Sequence, residues 1–120
     1  MLRGEAAFQI NTPAIHLKFA EILNQQGDPT GAIEEYLAAI QLDPGLSGAL
    51  LGLGAVYLDQ HEWKQAEDAL KRAAQLASEN SQTEYWLGRS LLAQQKFPEA
   101  QDALRRATRL KPDDVEASPI

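Results

Sequence analysis

Displaced by 34 residues, the sequence falls onto itself: Ala32, Ala66 and Ala100 align, as do Ala39, Ala73 and Ala107, and Pro44, Ser78 and Pro112. Phe19, Leu53 and Leu87 form a further set, each followed at once by a small residue (Ala20, Gly54 and Gly88), and three positions beyond those stand Leu23, Tyr57 and Leu91. A fixed period of roughly 20 to 50 residues means stacked supersecondary units, none of which can bury its apolar face alone. The chain therefore divides into units at 13–46, 47–80 and 81–114, preceded by residues 1–12 and followed by 115–120.

Local signals predict two helices per unit, a first (A) and a second (B). Thr12-Pro13 reads as a cap followed by proline at the first helical position. Gly27 is placed to end the A helix in a left-handed conformation, Asp28-Pro29-Thr30 turns the chain into the B helix, and Asp43-Pro44-Gly45 stops it. Carried through the period, this predicts A helices near 14–26, 48–60 and 82–94, and B helices near 30–42, 64–77 and 98–110. His61 stands where Gly27 ends the first A helix, and histidine is among the residues that tolerate positive φ. Small residues on facing helices, Gly54 and Gly88 against Ala66 and Ala100, permit axes about 8–10 Å apart. Trp63 and Phe97, just ahead of B helices, are expected to plug the turns as staples. Phe8 and Ile10 match Leu42 and Pro44 after the same displacement, which favours a short ordered turn at 5–9 over a frayed terminus.

These residues resemble the tetratricopeptide repeat, a helix-turn-helix unit of Trp-x2-Leu-Gly-x2-Tyr followed by Ala, an aromatic, Ala and Pro. The middle unit supplies Leu50, Leu53, Gly54, Tyr57, Ala66, Leu70 and Ala73. The first adds Tyr36 and Pro44; the third has Leu87, Gly88, Ala100, Leu104, Ala107 and Pro112. The departures are His16, Leu50 and Glu84 at the tryptophan position, and Ser78 for a proline. The resemblance implies an all-α fold, a right-handed α-solenoid of stacked antiparallel helix pairs, with the A helices lining a concave groove that holds a partner polypeptide.

Composition narrows the function classes. With no cysteine, there is neither a disulfide framework nor a thiolate metal site. The net charge of -6 is concentrated early, where Arg3 and Lys18 face Glu5, Glu21, Asp28, Glu34, Glu35 and Asp43, so a nucleic-acid partner is not expected. The basic cluster Arg105, Arg106, Arg109 and Lys111 reads as a solvated helix end complementing the carbonyl pole of the dipole. No apolar run approaches a membrane span and the first residues lack the apolar core of a signal peptide. A membrane partner is therefore not expected, and the compartment stays open with the cytoplasm favoured.

No catalytic constellation emerges, so the protein is not expected to be an enzyme. His16 and His61 have no ligand at a known metal spacing and read as structural histidines. Gly52-Leu53-Gly54 lies in a helical pattern with no preceding strand and fails the context for phosphate binding. Neither metal nor cofactor is called for.

At 100° per residue the packing positions of each A helix share one arc, which defines the opposite one. That opposite arc carries the expected partner-binding residues: Leu17, Lys18 and Glu21 in the first unit, Leu51, Gly52, Ala55 and Leu58 in the second, and Tyr85, Trp86 and Arg89 in the third. Some members of the resembled family grip a partner's terminal carboxylate with Lys and Asn from the A helices. Leu17, Glu21, Gly52, Gln82 and Trp86 stand at those positions here, so that clamp is not expected. Apolar anchors with a few charges suit an amphipathic helix or an extended segment with bulky side chains. The expectation is a non-catalytic protein-protein interaction scaffold whose partner is a protein or peptide. Two alternatives stand beside it. One is a homodimer formed through Ala103, Leu104, Ala107 and Leu110 if they lie uncovered; the other is a regulatory domain of a larger enzyme.

Overall fold

The computed structural model describes residues 12–77 and 79–110. The expected turn at Phe8 and Ile10, the tail 115–120, the repeat positions Ser78 and Pro112, and Lys111 lie outside the described residues. Among those described there are six helices and no strand: α1 (Pro13–Gln25), α2 (Pro29–Leu42), α3 (Ser47–Asp59), α4 (Trp63–Leu76), α5 (Ser81–Ala93) and α6 (Phe97–Leu110). Each bound lies within about a turn of its expected position.

Three of the helix starts, those of α1, α2 and α5, carry side-chain caps, while α3 and α4 begin without one. The Ile15 amide donates to Thr12 Oγ1 (3.3 Å), the Gly31 amide to Asp28 Oδ1 (3.0 Å), and the Gln82 and Thr83 amides to Asn80 Oδ1 (2.9 and 3.2 Å). In each case an otherwise orphaned donor of the first turn is satisfied. The A-helix ends are more uniform. Gly27 (φ 82°), His61 (φ 62°) and Gln95 (φ 64°), spaced by the repeat, are all left-handed. The next amide reaches back to close a six-residue ring: Asp28 to the Leu23 carbonyl, Glu62 to Tyr57, Lys96 to Leu91. This is the Schellman arrangement, and only the first copy uses glycine for it.

Each A helix packs on its own B helix, and each B helix on the A helix that follows, which makes the chain an α-solenoid. Small residues set the close approach. Ala20, Ala32, Ala39, Ala49, Ala66 and Ala103 are fully enclosed. A Cβ on Gly54 would stand 2.6 Å from Leu70, and one on Gly88 2.7 Å from Leu104. Two apolar clusters result. One runs from Ala20 through Tyr36, Ile40, Leu50 and Leu53 to Val56; the other gathers Leu58, Leu70, Leu87, Leu91 and Ala103. Leu51 and Tyr57 pack against both. Full burial of one such leucine is worth about 2 kcal/mol.

Units two and three are also joined by a buried carboxylate. Glu67, 1% exposed, accepts from Gln94 Nε2 (2.9 Å) and Lys96 Nζ (3.1 Å) of the next unit and pairs with Lys71 Nζ (2.7 Å) on its own helix. Burial pushes its pKa up, but the hydrogen bonds from Lys71, Gln94 and Lys96 outweigh that and hold it at about 2. Glu84, at the tryptophan position of the family pattern, is buried against Arg106 Nε (3.0 Å).

Two expectations are corrected by packing, and one set of equivalent positions is split. Phe19 is 50% exposed although Leu53 and Leu87, its counterparts, are buried, because no B helix among the described residues precedes α1. Phe97 is 53% exposed, too open for a plug, whereas Trp63 is half-buried beside His61 (ring centroids 5.0 Å apart), with its carbonyl facing Gln94. Ala103 faces α5 and is enclosed, so it belongs to no open surface; Leu104 and Ala107 are partly covered and Leu110 is exposed.

Candidate functional site: the A-helix groove

Successive A helices touch directly, α1 with α3 and α3 with α5, while the B helices of successive units make no comparable contact. The stack is therefore tightest along the A helices, and a surface pinched on one side is concave there.

Of the residues expected along that side, Leu17 and Leu51 are partly buried and Ala55 is half-covered. Lys18 is exposed with Nζ 3.4 Å from Glu21 Oε1, an ion pair of two solvated side chains that contributes little. Tyr85 is 50% exposed, and the Arg89 guanidinium stands 6.0 Å from its ring centroid, at the limit of a cation-π contact. Trp86 is half-buried against the second cluster.

Two of the expected residues stand otherwise than the sequence implies. Leu58 is 4% exposed and belongs to the second cluster, because the arrival of α5 covers it; it is withdrawn from the groove surface. Gly52 is not an open floor, since a Cβ there would meet the Tyr36 ring at 2.5 Å. The glycine exists to admit that ring. Burial, and next the charge of Glu21, raise the pKa of the Tyr36 hydroxyl. Glu21, Tyr36 and Gly52 are thus brought together between the first two units. Tyr36, 5% exposed, is a packing residue that sequence periodicity did not link to Gly52, and the signal for that contact is a glycine inside a helix facing an aromatic one unit earlier.

The remaining chemistry is sparse. His16 Nδ1 lies 2.6 Å from Glu35 Oε1. Among the described residues no three His, Cys, Asp or Glu side chains group as metal ligands, and no helix is long and apolar enough to cross a membrane.

A search with the sequence finds no match among curated proteins. Solved structures are similar in fold. The first tetratricopeptide repeat domain of Spaghetti (RPAP3), bound to an HSP90 peptide, superposes with a TM-score of 0.84 at 21% identity over 90% of this chain and 86% of that one. The Arabidopsis OM64 tetratricopeptide repeat domain gives 0.82 at 18% identity over 87% and 86%. MamA gives 0.83 at 25% identity over 92% of this chain and 64% of its own. The family model described as Tetratricopeptide repeat matches residues 23–74 and 57–118, which together span most of the sequence. With its period, helix pairs and left-handed turns all in that register, the chain belongs to the tetratricopeptide repeat family.

Proposed function

We propose that the protein is a non-catalytic interaction scaffold that holds a peptide or an amphipathic helix of another protein in the A-helix groove. The observation that carries this reading is Tyr85, a half-exposed aromatic on an A helix with the Arg89 guanidinium 6.0 Å from its ring, in a unit whose Trp86 is partly buried. Exposed Tyr and Trp beside apolar surface are the side chains that anchor interfaces. The similar Spaghetti domain is bound to an HSP90 peptide. At the clamp positions this chain carries Leu17, Glu21, Gly52, Gln82 and Trp86, which have no cation to meet a terminal carboxylate. The ligand it suits therefore presents bulky apolar anchors flanked by charge, in the manner of helix-in-groove recognition.

Tyr85 is a cleaner probe than Trp86, whose removal would also open the second cluster. Peptides selected from a displayed library should bind the wild-type chain, and calorimetry should show Tyr85→Ala weakening them roughly tenfold or more, in line with an anchor worth about 1.4 kcal/mol. Equal affinity of Tyr85→Ala and Arg89→Glu for every selected peptide would remove the groove from the reading.

A further inference from the structure

The two unit interfaces inside this chain provide a template for a third. At the second, the B helix α4 receives α5: Leu70 is fully enclosed, Leu58 is 4% exposed, and Gln94 and Lys96 descend onto Glu67 beside Lys71. One period later the same positions of α5 and α6 stand open. Leu92 and Phe97 are half-exposed, Leu104 is partly uncovered, and an open hollow of 670 Å³ is lined by Gln101, Leu104, Arg105, Thr108 and Arg109. That is the bed of an A helix with no A helix in it among the described residues.

The other end of the stack carries the matching surface. Leu53 and Val56 of α3, and Leu87 and Ser90 of α5, are buried where they meet the preceding B helix. Their counterparts on α1 are Phe19 and Ile22, each 50% exposed. The two end units also differ in the sign of their charge. Within the described part of the first unit Lys18 stands alone against Glu21, Asp28, Glu34, Glu35 and Asp43. In the third, Arg89, Lys96, Arg105, Arg106 and Arg109 exceed Glu84, Glu99 and Asp102. The contact that registers units two and three inverts accordingly: where Lys96 meets Glu67, its counterpart Asp28 would meet Gln101 and, beside it, Arg105, whose pairing with Asp102 is long (3.4 Å) and exposed.

We propose that the surface of Leu92, Phe97, Leu104 and Arg105 docks Phe19, Ile22 and Asp28 of a second copy of this chain, so that copies stack head to tail in the register that units two and three display. Such a contact joins two different surfaces. It does not close on itself but leaves both outer ends free to add further copies. It also leaves the A-helix groove open and lengthens it, so it stands independently of the ligand reading.

Sedimentation velocity of the full 120-residue chain tests this. The mean mass should climb with concentration past that of a dimer of the 13.2 kDa chain, and should fall when salt is raised, because the charged contact is screened. Phe19→Glu and Phe97→Glu each spoil one of the two surfaces at a half-exposed position, with the fold checked by circular dichroism. Each alone should be at least tenfold weaker in association. Mixed, they should form a one-to-one heterodimer that grows no further, since one good surface of each kind remains. A chain that stays monomeric at every concentration overturns the proposal and leaves the bed to a different occupant. A closed dimer, or a mixture of the two variants that does not associate, also overturns it.

Discussion

Neutralising Glu67 should remove the share of the chain's acid sensitivity that this one carboxylate contributes. The folded carboxyl is held at about 2 against an ordinary 4.5. A depressed carboxylate contributes stability that is fully present above its unfolded value and is lost as pH falls toward its folded one. The shift corresponds to about 3 kcal/mol at neutral pH, of which about 2 kcal/mol is gone by pH 3. Lys71 and Lys96 are themselves well solvated, 54% and 37% exposed, so the observed loss should lie toward the lower figure. Glu67→Gln keeps the volume and removes the charge. Urea unfolding at intervals from pH 7 to pH 3, extrapolated linearly to water, should find the variant about 2 kcal/mol less stable at pH 7, with the gap narrowed to about 1 kcal/mol or less at pH 3, still a unit above the folded pKa. The other carboxylates titrate in both proteins and cancel in the difference. Two curves running parallel across that interval would refute the assignment of Glu67 as the charged link between units two and three.

Two further substitutions separate neighbouring causes. Gly52→Ala drives a Cβ to 2.5 Å from the buried Tyr36 ring, so overpacking of about 1–3 kcal/mol should outweigh a helix-propensity gain of about 1 kcal/mol, whereas Gly48→Ala meets nothing within 4 Å and should gain up to about 1 kcal/mol; chemical denaturation of both variants reads the opposite signs. Gln95→Gly should stabilise by about 1 kcal/mol by relieving a left-handed non-glycine residue at φ 64°, seen as a higher melting temperature, while Gly27→Ala at φ 82° should lower it.

The fold was legible because its signals are local and repeated. Thr12-Pro13, Gly27 and Asp28-Pro29 mark helix ends through backbone geometry that any context would honour, and the displacement of 34 residues transfers them to units whose own signals are weaker. Gln95 shows the reach of that transfer: glutamine carries no turn signal, yet it takes the left-handed conformation because its position in the repeat demands it. The candidate site was legible in outline only. Helical periodicity assigns Leu51 and Leu58 to one arc, but they lie seven residues apart, almost two turns, and meet different neighbours. Leu58 lies where α5 arrives and is buried; Leu51 keeps a partly open face. Periodicity gives a direction around one helix and says nothing about which residue a second helix will cover.

Taken alone, the sequence determined the number of units, the placement of the helices, the left-handed turns at Gly27 and His61 and the side on which each pair packs, because all of these depend on spacing along one chain. Tertiary structure decided what stacking adds. It placed the Tyr36 ring over Gly52, set Gln94 and Lys96 on Glu67, and enclosed Ala103. It also separated Phe19 and Phe97, both half-exposed, from their covered counterparts Leu53 and Trp63. The physical reason is that a repeat makes equivalent positions equal in sequence pattern but not in surroundings, and burial is a property of the surroundings.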